Sequence, residues 1–319
     1  MNIVLMGTGE FAVPALRALA KVAHIQAVYT QPDRPAGRGL HLGSSPVKQE
    51  AVGLNLDVWQ PQSLSEPSVA EHIRQLKPDA IIVSDFGQLV PQAILDLSRL
   101  GAINLHSSLL PQYRGAAPIH WAIINGEKQT GVTTFFMDAS MDTGPLLLQR
   151  AIRIEVEDNA LTLESKLAQV GALLVLETLD LLAEERLRAV RQDDHLASVA
   201  PKLTKQDGQI NWNKSAPELF NLVRGTNPYP GAFSFANKTR LKVHTARVAD
   251  DKVRGNVGEI VGLTPDTLLV QTGQGVLELL EVQPASKPRM SAGDFARGYR
   301  LTRSMVLGGG GPSNTSNAR

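Results

Sequence analysis

The first half of the chain alternates short apolar runs with segments of helical spacing, and this alternation is the feature that most limits its fold. The apolar runs at residues 2–6, 25–29 and 80–84 have the character of buried strands. The segments between them carry apolar residues at helical intervals. Such an alternation predicts parallel strands joined by helices that pack on both faces of one sheet. We therefore expect an α/β fold with a Rossmann-like, mostly parallel sheet in the N-terminal part.

The composition is that of a globular protein with more than one domain. A chain of 319 residues with 43% hydrophobic and 20% charged residues can bury a sizeable core, and its length favours two domains. The absence of cysteine excludes disulfides, thiolate catalysis and zinc ribbons. The N-terminal run lacks the basic flank of a signal peptide, and no apolar run reaches the roughly 20 residues of a membrane helix. We expect a cytoplasmic protein that does not contact a membrane.

Charge is distributed unevenly along the chain. Residues 1–200 carry 16 basic against 22 acidic residues, a net of −6, whereas residues 201–319 carry 16 against 9, a net of +7. Such asymmetry indicates that the C-terminal part contacts a polyanion, although a solvated basic face without a partner would give the same count.

The pattern of elements changes after the middle of the chain. Beyond residue 206 several short strands are separated by Gly, Pro and Asp turns, which favours a small OB-like β-barrel. The predicted domains are a catalytic domain at 1–190, a linker at 191–206, the barrel at 207–306 and a disordered tail at 307–319.

The stretch AINLHSSLLPQYRGAAP places two polar side chains at the end of a buried strand. Asn104 and His106 are two residues apart, so both point to the same side of that strand. Ligands of open α/β sheets bind at the carboxyl ends of strands, which favours a functional pair. A pair of polar side chains that only satisfy each other or the backbone is the alternative.

The loop DASMDTGP, in which Asp142 lies, adds a carboxylate near the next strands. An amide and an imidazole can donate to a developing oxyanion, and a carboxylate can orient the imidazole or accept a proton, so this set suits acyl-group transfer. Both aspartates of the loop could equally be turn formers. The sequence has no G-x-S-x-G motif, and its histidines show no metal-ligand spacing, so we expect neither a serine hydrolase nor a metal site.

Two further loops suggest ligands. The segment GTGEFA formally matches the dinucleotide fingerprint, but the second strand does not end in the acidic residue that a ribose requires, so we expect no nicotinamide cofactor. The segment from Pro32 to Pro46 is rich in Pro and Gly and carries Arg38, which predicts a long exposed loop that could grip a phosphate backbone.

Several motifs in one order resemble the folate-dependent formyltransferase family. They are NLHSSLLP followed by RGAAP, and the loop ending in DTGP. Within the family, TQPDRPAGRG, SPVK, LTKQDGQINW and RGTNPYPGAF resemble the members that formylate methionyl initiator tRNA, and the likeness runs from Met1 to about Val306. The resemblance implies 10-formyltetrahydrofolate as formyl donor and the α-amino group of methionyl initiator tRNA as acceptor. We predict no obligate protein partner and expect a monomer.

The resemblance also implies roles for individual residues. Asn104, His106 and Asp142 would be catalytic, and Arg38 would lie in a loop that contacts the acceptor arm. The residues that would line the folate are Ser108, Leu109, Leu110 and Pro111. After GRG many relatives have lysines, whereas this chain has Leu40 and His41, so its loop is less basic. The alternatives are a formyltransferase of the same fold that acts on a nucleotide precursor or an amino sugar, an NAD-dependent oxidoreductase and a non-catalytic RNA-binding protein.

Overall fold

The computed structural model describes residues 1–36, 41–237, 239–250, 252 and 255–308. The chain forms two compact units. The first comprises Met1–Ile119, Gln129–Ile154 and Thr162–Pro201, and the second comprises His120–Lys128, Glu155–Leu161 and the chain from Lys202 onward. These units interleave along the sequence, and the domain boundaries after residues 190 and 206 stay a prediction.

In the described part of the N-terminal 153 residues the chain forms nine strands. They are β1 (Asn2–Gly7), β2 (His24–Tyr29), β3 (Arg34–Ala36), β4 (His41–Gly43), β5 (Val58–Trp59), β6 (Ala80–Ser84), β7 (Ala102–His106), β8 (Gln129–Phe136) and β9 (Leu146–Arg153). Seven of them form one sheet in the order β5-β2-β1-β6-β7-β8-β9. The pairs from β5 to β7 are parallel, and β8 and β9 add two antiparallel strands. The predicted Rossmann-like, mostly parallel sheet is therefore confirmed.

Among the described residues up to 183 the chain forms six α-helices. They are α1 (Val13–Val22), α2 (Pro46–Gly53), α3 (Pro67–Leu76), α4 (Gln92–Leu95), α5 (Pro118–Ile124) and α6 (Ala160–Ala183). The sequence pattern predicts that α4 continues to residue 100, but this helix ends at Leu95. The backbone N–H groups of Arg99 and Leu100 instead donate to the carbonyls of Pro78 and Asp79, so the segment after α4 bonds to the two residues that precede β6.

The central strands explain why the sheet forms from this sequence. All five residues of β6 are buried, including Ile81 and Ile82, which point to opposite faces. Burying each of these side chains contributes roughly 1.5–3 kcal/mol. A strand that is apolar on both faces belongs in the middle of a sheet covered by helices on both sides, and β6 lies between β1 and β7.

The segment from Pro32 to Pro46 begins and ends in a short ribbon. Its strands β3 and β4 pair antiparallel with each other and do not join the main sheet. Asp33, at the start of this segment, is held by an ion pair. Its Oδ2 lies 2.6 Å from Nζ of Lys48, which follows the segment. Arg38 lies outside the described residues.

The second unit contains an antiparallel sheet. Its elements are α7 (Ala216–Gly225), β10 (Ala232–Ala236), β11 (Thr239–Asp250), β12 (Ile260–Leu263), β13 (Leu268–Gln271), β14 (Val276–Pro284), β15 (Met290–Ser291) and α8 (Ala292–Gly298). The order is β10-β11-β14-β13-β12, with β15 on β14. Six antiparallel strands around a core that includes Trp212 and Phe295 are consistent with the predicted small barrel. In the described residues, no helix is long and apolar enough to span a membrane.

Candidate functional site

The strand β7 delivers Asn104 and His106 to the carboxyl end of the parallel strands, as the sequence predicts. Asn104 pairs with Val83 of β6, and β7 ends two residues later at His106. Within the described part of the chain, the Asn104 amide makes one weak contact, in which Nδ2 lies 4.0 Å from the Sδ of Met137. A thioether is a poor acceptor, so this amide keeps most of its capacity to donate.

The His106 ring is held in one orientation. Only 7% of this residue is exposed, and its Nε2 lies 3.0 Å from the backbone carbonyl oxygen of Tyr113. A carbonyl oxygen can only accept, so Nε2 carries a hydrogen and donates it. The other nitrogen, Nδ1, lies 3.8 Å from Oδ2 of Asp142. Nδ1 is therefore the ring nitrogen that remains for a substrate, with a carboxylate beside it.

Asp142 is fixed by its own backbone and by the loop that follows β7. Its φ of 56° is in the left-handed region, and its Oδ2 accepts a hydrogen bond of 2.8 Å from the backbone N–H of Gly115. Nearby Gly144 has no room for a side chain, because a Cβ there would lie 1.7 Å from the carbonyl oxygen of Phe136. These constraints aim the Asp142 carboxylate at His106.

The two aspartates of this loop have different contacts. Asp138 accepts hydrogen bonds from the N–H of Ser140 and from the hydroxyl of Thr143, at 3.0 and 2.8 Å. These are contacts within the turn, so Asp138 is a turn former. Asp142 alone extends to the neighbouring loop and to His106. The structure thus separates two residues that the sequence pattern leaves equivalent.

The segment Ser108–Pro111 lies directly after β7. Ser108 is fully buried and donates from its hydroxyl to the carbonyl of Gln112 at 2.6 Å, and Leu110 is 2% exposed. The carbonyl of Ser108 and the N–H of Leu110 are both bonded to the Thr133 hydroxyl. Leu109 and Pro111 are half-buried, so of the four they have the side chains with surface left for a ligand. That this segment lines a folate stays a prediction.

The glycine turn after β1 is occupied by the protein itself. The N–H groups of Thr8 and Gly9 donate to the carbonyl of Asp85 at 3.0 and 3.3 Å. The Asp85 carboxylate lies against Gly9, where a Cβ would be 1.8 Å from Oδ2. A negative group beside a turn whose N–H groups are already bonded disfavours a dinucleotide pyrophosphate there.

The carboxyl group of Glu164, which interacts with those of Asp85 and Glu10, has a raised pKa. Partial burial raises the pKa of Glu164 to about 7, and the neighbouring carboxyls of Asp85 and Glu10 act in the same direction.

Among the residues that the structure describes, no three His, Asp or Glu side chains are grouped as a metal site would need.

Gln192 is a buried residue of this region that the sequence analysis missed. It lies in a stretch without helical or strand periodicity, yet only 5% of it is exposed. Its Nε2 donates to the backbone carbonyl of Asp142 at 2.9 Å. No sequence signal marks it, because hydrogen bonds to backbone carbonyls leave no pattern of residue types.

Comparisons with known proteins give one consistent result. A family model described as formyl transferase matches residues 1–179, and one described as formyl transferase, C-terminal domain, matches residues 202–300. The chain is 42% identical to a methionyl-tRNA formyltransferase of Alkaliphilus oremlandii, over 97% of this chain and 100% of that protein. It is 46% identical to the methionyl-tRNA formyltransferase of Citrifermentans bemidjiense, over 97% of this chain and 96% of that one.

The fold is also similar to that of a solved structure. The crystal structure of WlaRD, a sugar 3N-formyl transferase in the presence of dTDP and 5-N-formyl-THF, has a TM-score of 0.66 with 18% identity, over 90% of this chain and 99% of that one. At this identity the similarity concerns the fold alone. The family models and the relatives of 42–46% identity show that this chain belongs to the formyltransferase family.

Proposed function

We propose that this protein transfers the formyl group of 10-formyltetrahydrofolate to the α-amino group of methionyl initiator tRNA. The observation that carries this proposal is the identity of 42–46% to methionyl-tRNA formyltransferases over nearly the whole length of both chains. The basic C-terminal part, with a net charge of +7 over residues 201–319, supports RNA as the partner of the same chain.

The β7 end suits a formyl donor. Asn104 keeps a nearly free amide, and His106 keeps Nδ1, which carries a second hydrogen in the imidazolium form, so this form of the site has two donors at one strand end. The adjoining segment offers the half-buried apolar side chains of Leu109 and Pro111. 10-Formyltetrahydrofolate supplies an already activated formyl group, so no nucleophilic side chain of the protein is needed.

The catalytic side chains act on the charge that develops during transfer. The neutral amine adds to the formyl carbon, and Asn104 Nδ2 and His106 Nδ1 donate to the carbonyl oxygen as it becomes negative. Asp142 stabilises the positive charge on the imidazole from 3.8 Å and guides the amine proton toward the departing folate nitrogen. The bond from carbon to that nitrogen breaks, and formyl-methionyl-tRNA and tetrahydrofolate leave. An α-amino group with a pKa near 8 is partly neutral in the cell, so the amine needs little activation.

Recognition of the RNA would rest on phosphates and shape. Double-stranded RNA is read mostly in this way, and each phosphate contact adds about one unit to the salt dependence. The loop with Arg38 and the basic C-terminal part are the proposed contacts. We propose that the enzyme is a monomer and works in the cytoplasm. Sedimentation of the purified protein with and without tRNA tests the monomeric state.

The experiment is formyl transfer from labelled 10-formyltetrahydrofolate to three acceptors. Methionyl initiator tRNA, elongator methionyl-tRNA and free methionine are offered in parallel. Label on the initiator alone supports both the reaction and its RNA selectivity. Transfer to none of them, with the folate still bound, would refute the proposed acceptor and leave an amino sugar or another small amine.

A further inference from the structure

Gln192 has a buried side chain whose hydrogen-bonding groups are all occupied. Its Nε2 donates to two backbone carbonyls, those of Asp142 at 2.9 Å and Gly144 at 2.8 Å. Its Oε1 accepts from Nε and from a terminal nitrogen of Arg114, at 3.1 and 2.8 Å. One side chain thus joins the loop of Asp142 to the loop that follows β7.

One of the two carbonyls that Gln192 holds belongs to Asp142, whose backbone is strained. Asp142 has a φ of 56°, which is uncommon for a residue with a side chain. Such a conformation persists only where its surroundings fix it. The two bonds from Nε2 to residues 142 and 144 fix the backbone, while the N–H of Gly115 fixes the carboxylate.

Arg114 fixes Gln192 from the other side. The guanidinium binds Oε1 of Gln192 with two N–H groups, which leaves the amide only one orientation, with Nε2 toward the Asp142 loop. The same guanidinium pairs with Asp194 at 2.8 Å, so it is itself anchored. A side chain that is satisfied at both ends resists rotation, because any other rotamer leaves buried groups unpaired.

The segment that carries Gln192 also supports His106. We call residues 190–200 the strap. Ser198 of the strap accepts from the N–H of Tyr113 at 2.9 Å, and the carbonyl of Tyr113 accepts from His106 Nε2. At the N-terminal end of the strap, Val190 exchanges two backbone hydrogen bonds with Leu146, close to the end of the Asp142 loop.

We propose that Gln192 is a positioning residue for formyl transfer that acts by holding Asp142 at its distance from His106, and that Ser198 holds His106 through Tyr113. The strap is then part of the active site. This inference rests on the proposed function, since it concerns the rate of that reaction. It adds two residues, from a stretch that looks like a connector in the sequence, to the groups that determine turnover.

Gln192→Glu is the decisive variant. A carboxylate still accepts from Arg114, but it has no N–H to donate, so the carbonyls of residues 142 and 144 face a negative oxygen. We expect kcat to fall by about 10- to 100-fold, because small displacements of catalytic groups cost that much. The KM for each substrate and the Kd for tRNA should change by less than about threefold, as expected when ground-state binding is intact.

Two further variants control this test. Leu196→Ala alters an exposed side chain of the same strap and should leave kcat unchanged. Gln192→Met introduces a side chain of similar volume without a charge. If Gln192→Glu does not fold, the kcat of Gln192→Met decides the test. Ser198→Ala should lower kcat by about three- to tenfold, because the N–H of Tyr113 loses the hydrogen bond that it donates to Ser198. Melting temperatures separate a folding defect from a positioning defect.

A double-mutant cycle shows whether Gln192 acts through Asp142. In an Asp142→Asn background, Gln192→Glu should lower the remaining transfer by less than about twofold, since residues of one network are not additive. Full additivity, or a kcat within about threefold of wild type in both single Gln192 variants, overturns the inference. If the wild-type protein itself transfers no formyl group, it is the proposed function that fails.

Discussion

The charge of Asp142 is the most informative single feature to remove. Asp142→Asn keeps the size of the side chain and an oxygen that can accept the 2.8 Å hydrogen bond from the N–H of Gly115. The loop should therefore keep its conformation. What the substitution removes is the negative charge 3.8 Å from Nδ1 of His106.

The magnitude follows from that distance. Two unit charges 3.8 Å apart attract each other by about 4 kcal/mol at an effective dielectric constant of about 20. Both side chains are mostly buried, with 8% and 15% exposure, so water weakens the attraction little. Each 1.4 kcal/mol corresponds to a factor of ten, so a charged His106 in the transition state would lose up to about 10³-fold in rate. The asparagine dipole recovers a part, and we expect kcat to fall by about 10²- to 10³-fold.

The assay is single-turnover formyl transfer, with the enzyme and the donor both in excess over methionyl initiator tRNA. Single turnover isolates the chemical step from product release. The matched control is Asp138→Asn, which changes an aspartate of the same loop whose contacts stay within the turn, and which should keep kcat within about threefold. A rate for Asp142→Asn within about tenfold of wild type would refute the electrostatic role that we assign to this carboxylate.

Three further predictions test other parts of the molecule. Asn104→Ala should lower kcat by about 10²-fold without changing the Kd for folate, and near-normal turnover would remove Asn104 from the mechanism. The pKa of Glu164 is raised to about 7, so the folded state binds more protons than the unfolded state between about pH 4.5 and 7, and stability falls as pH rises through this range. Urea unfolding at pH 5 and 8 should show a loss of stability that is larger in wild type than in Glu164→Gln by about 1–2 kcal/mol, since solvent screens part of the shift, and equal losses would contradict the shift. Trp212→Phe leaves the buried hydroxyl of Ser234 without its 2.9 Å donor and should cost about 1–3 kcal/mol, measured by the urea midpoint of unfolding; an unchanged midpoint would show that this bond does not matter.

The sequence predicted the sheet well because its signal is local. The five apolar residues of β6 and the alternation of strands and helices are visible in any short window. The same logic placed Asn104 and His106 at a strand end. The short strand β5 and the helix α8 were missed, since two residues give no periodicity and α8 is a seven-residue helix begun by a Ser291 cap.

The site could be predicted only in part, because some of its restraints involve the backbone. The acceptor for His106 Nε2 is a carbonyl, that of Tyr113, and the partners of Gln192 Nε2 are also carbonyls. Every residue has a carbonyl, so the identity of Tyr113 carries no signal for this contact. Likewise the difference between Asp138 and Asp142 depends on which neighbour each one reaches, which follows from the fold of two loops distant in sequence.

The 3.8 Å between His106 Nδ1 and Asp142 Oδ2 has its own chemical consequence. The distance is longer than a hydrogen bond, so in the imidazolium form Nδ1–H is not committed to the carboxylate and can donate to a formyl oxygen. It is still short enough for the carboxylate to stabilise an imidazolium. A closer aspartate would bind Nδ1–H itself and compete with the substrate for it. A more distant aspartate would lose its attraction to the imidazolium. The two loops that fix Asp142 therefore matter for the rate, because they hold this intermediate distance.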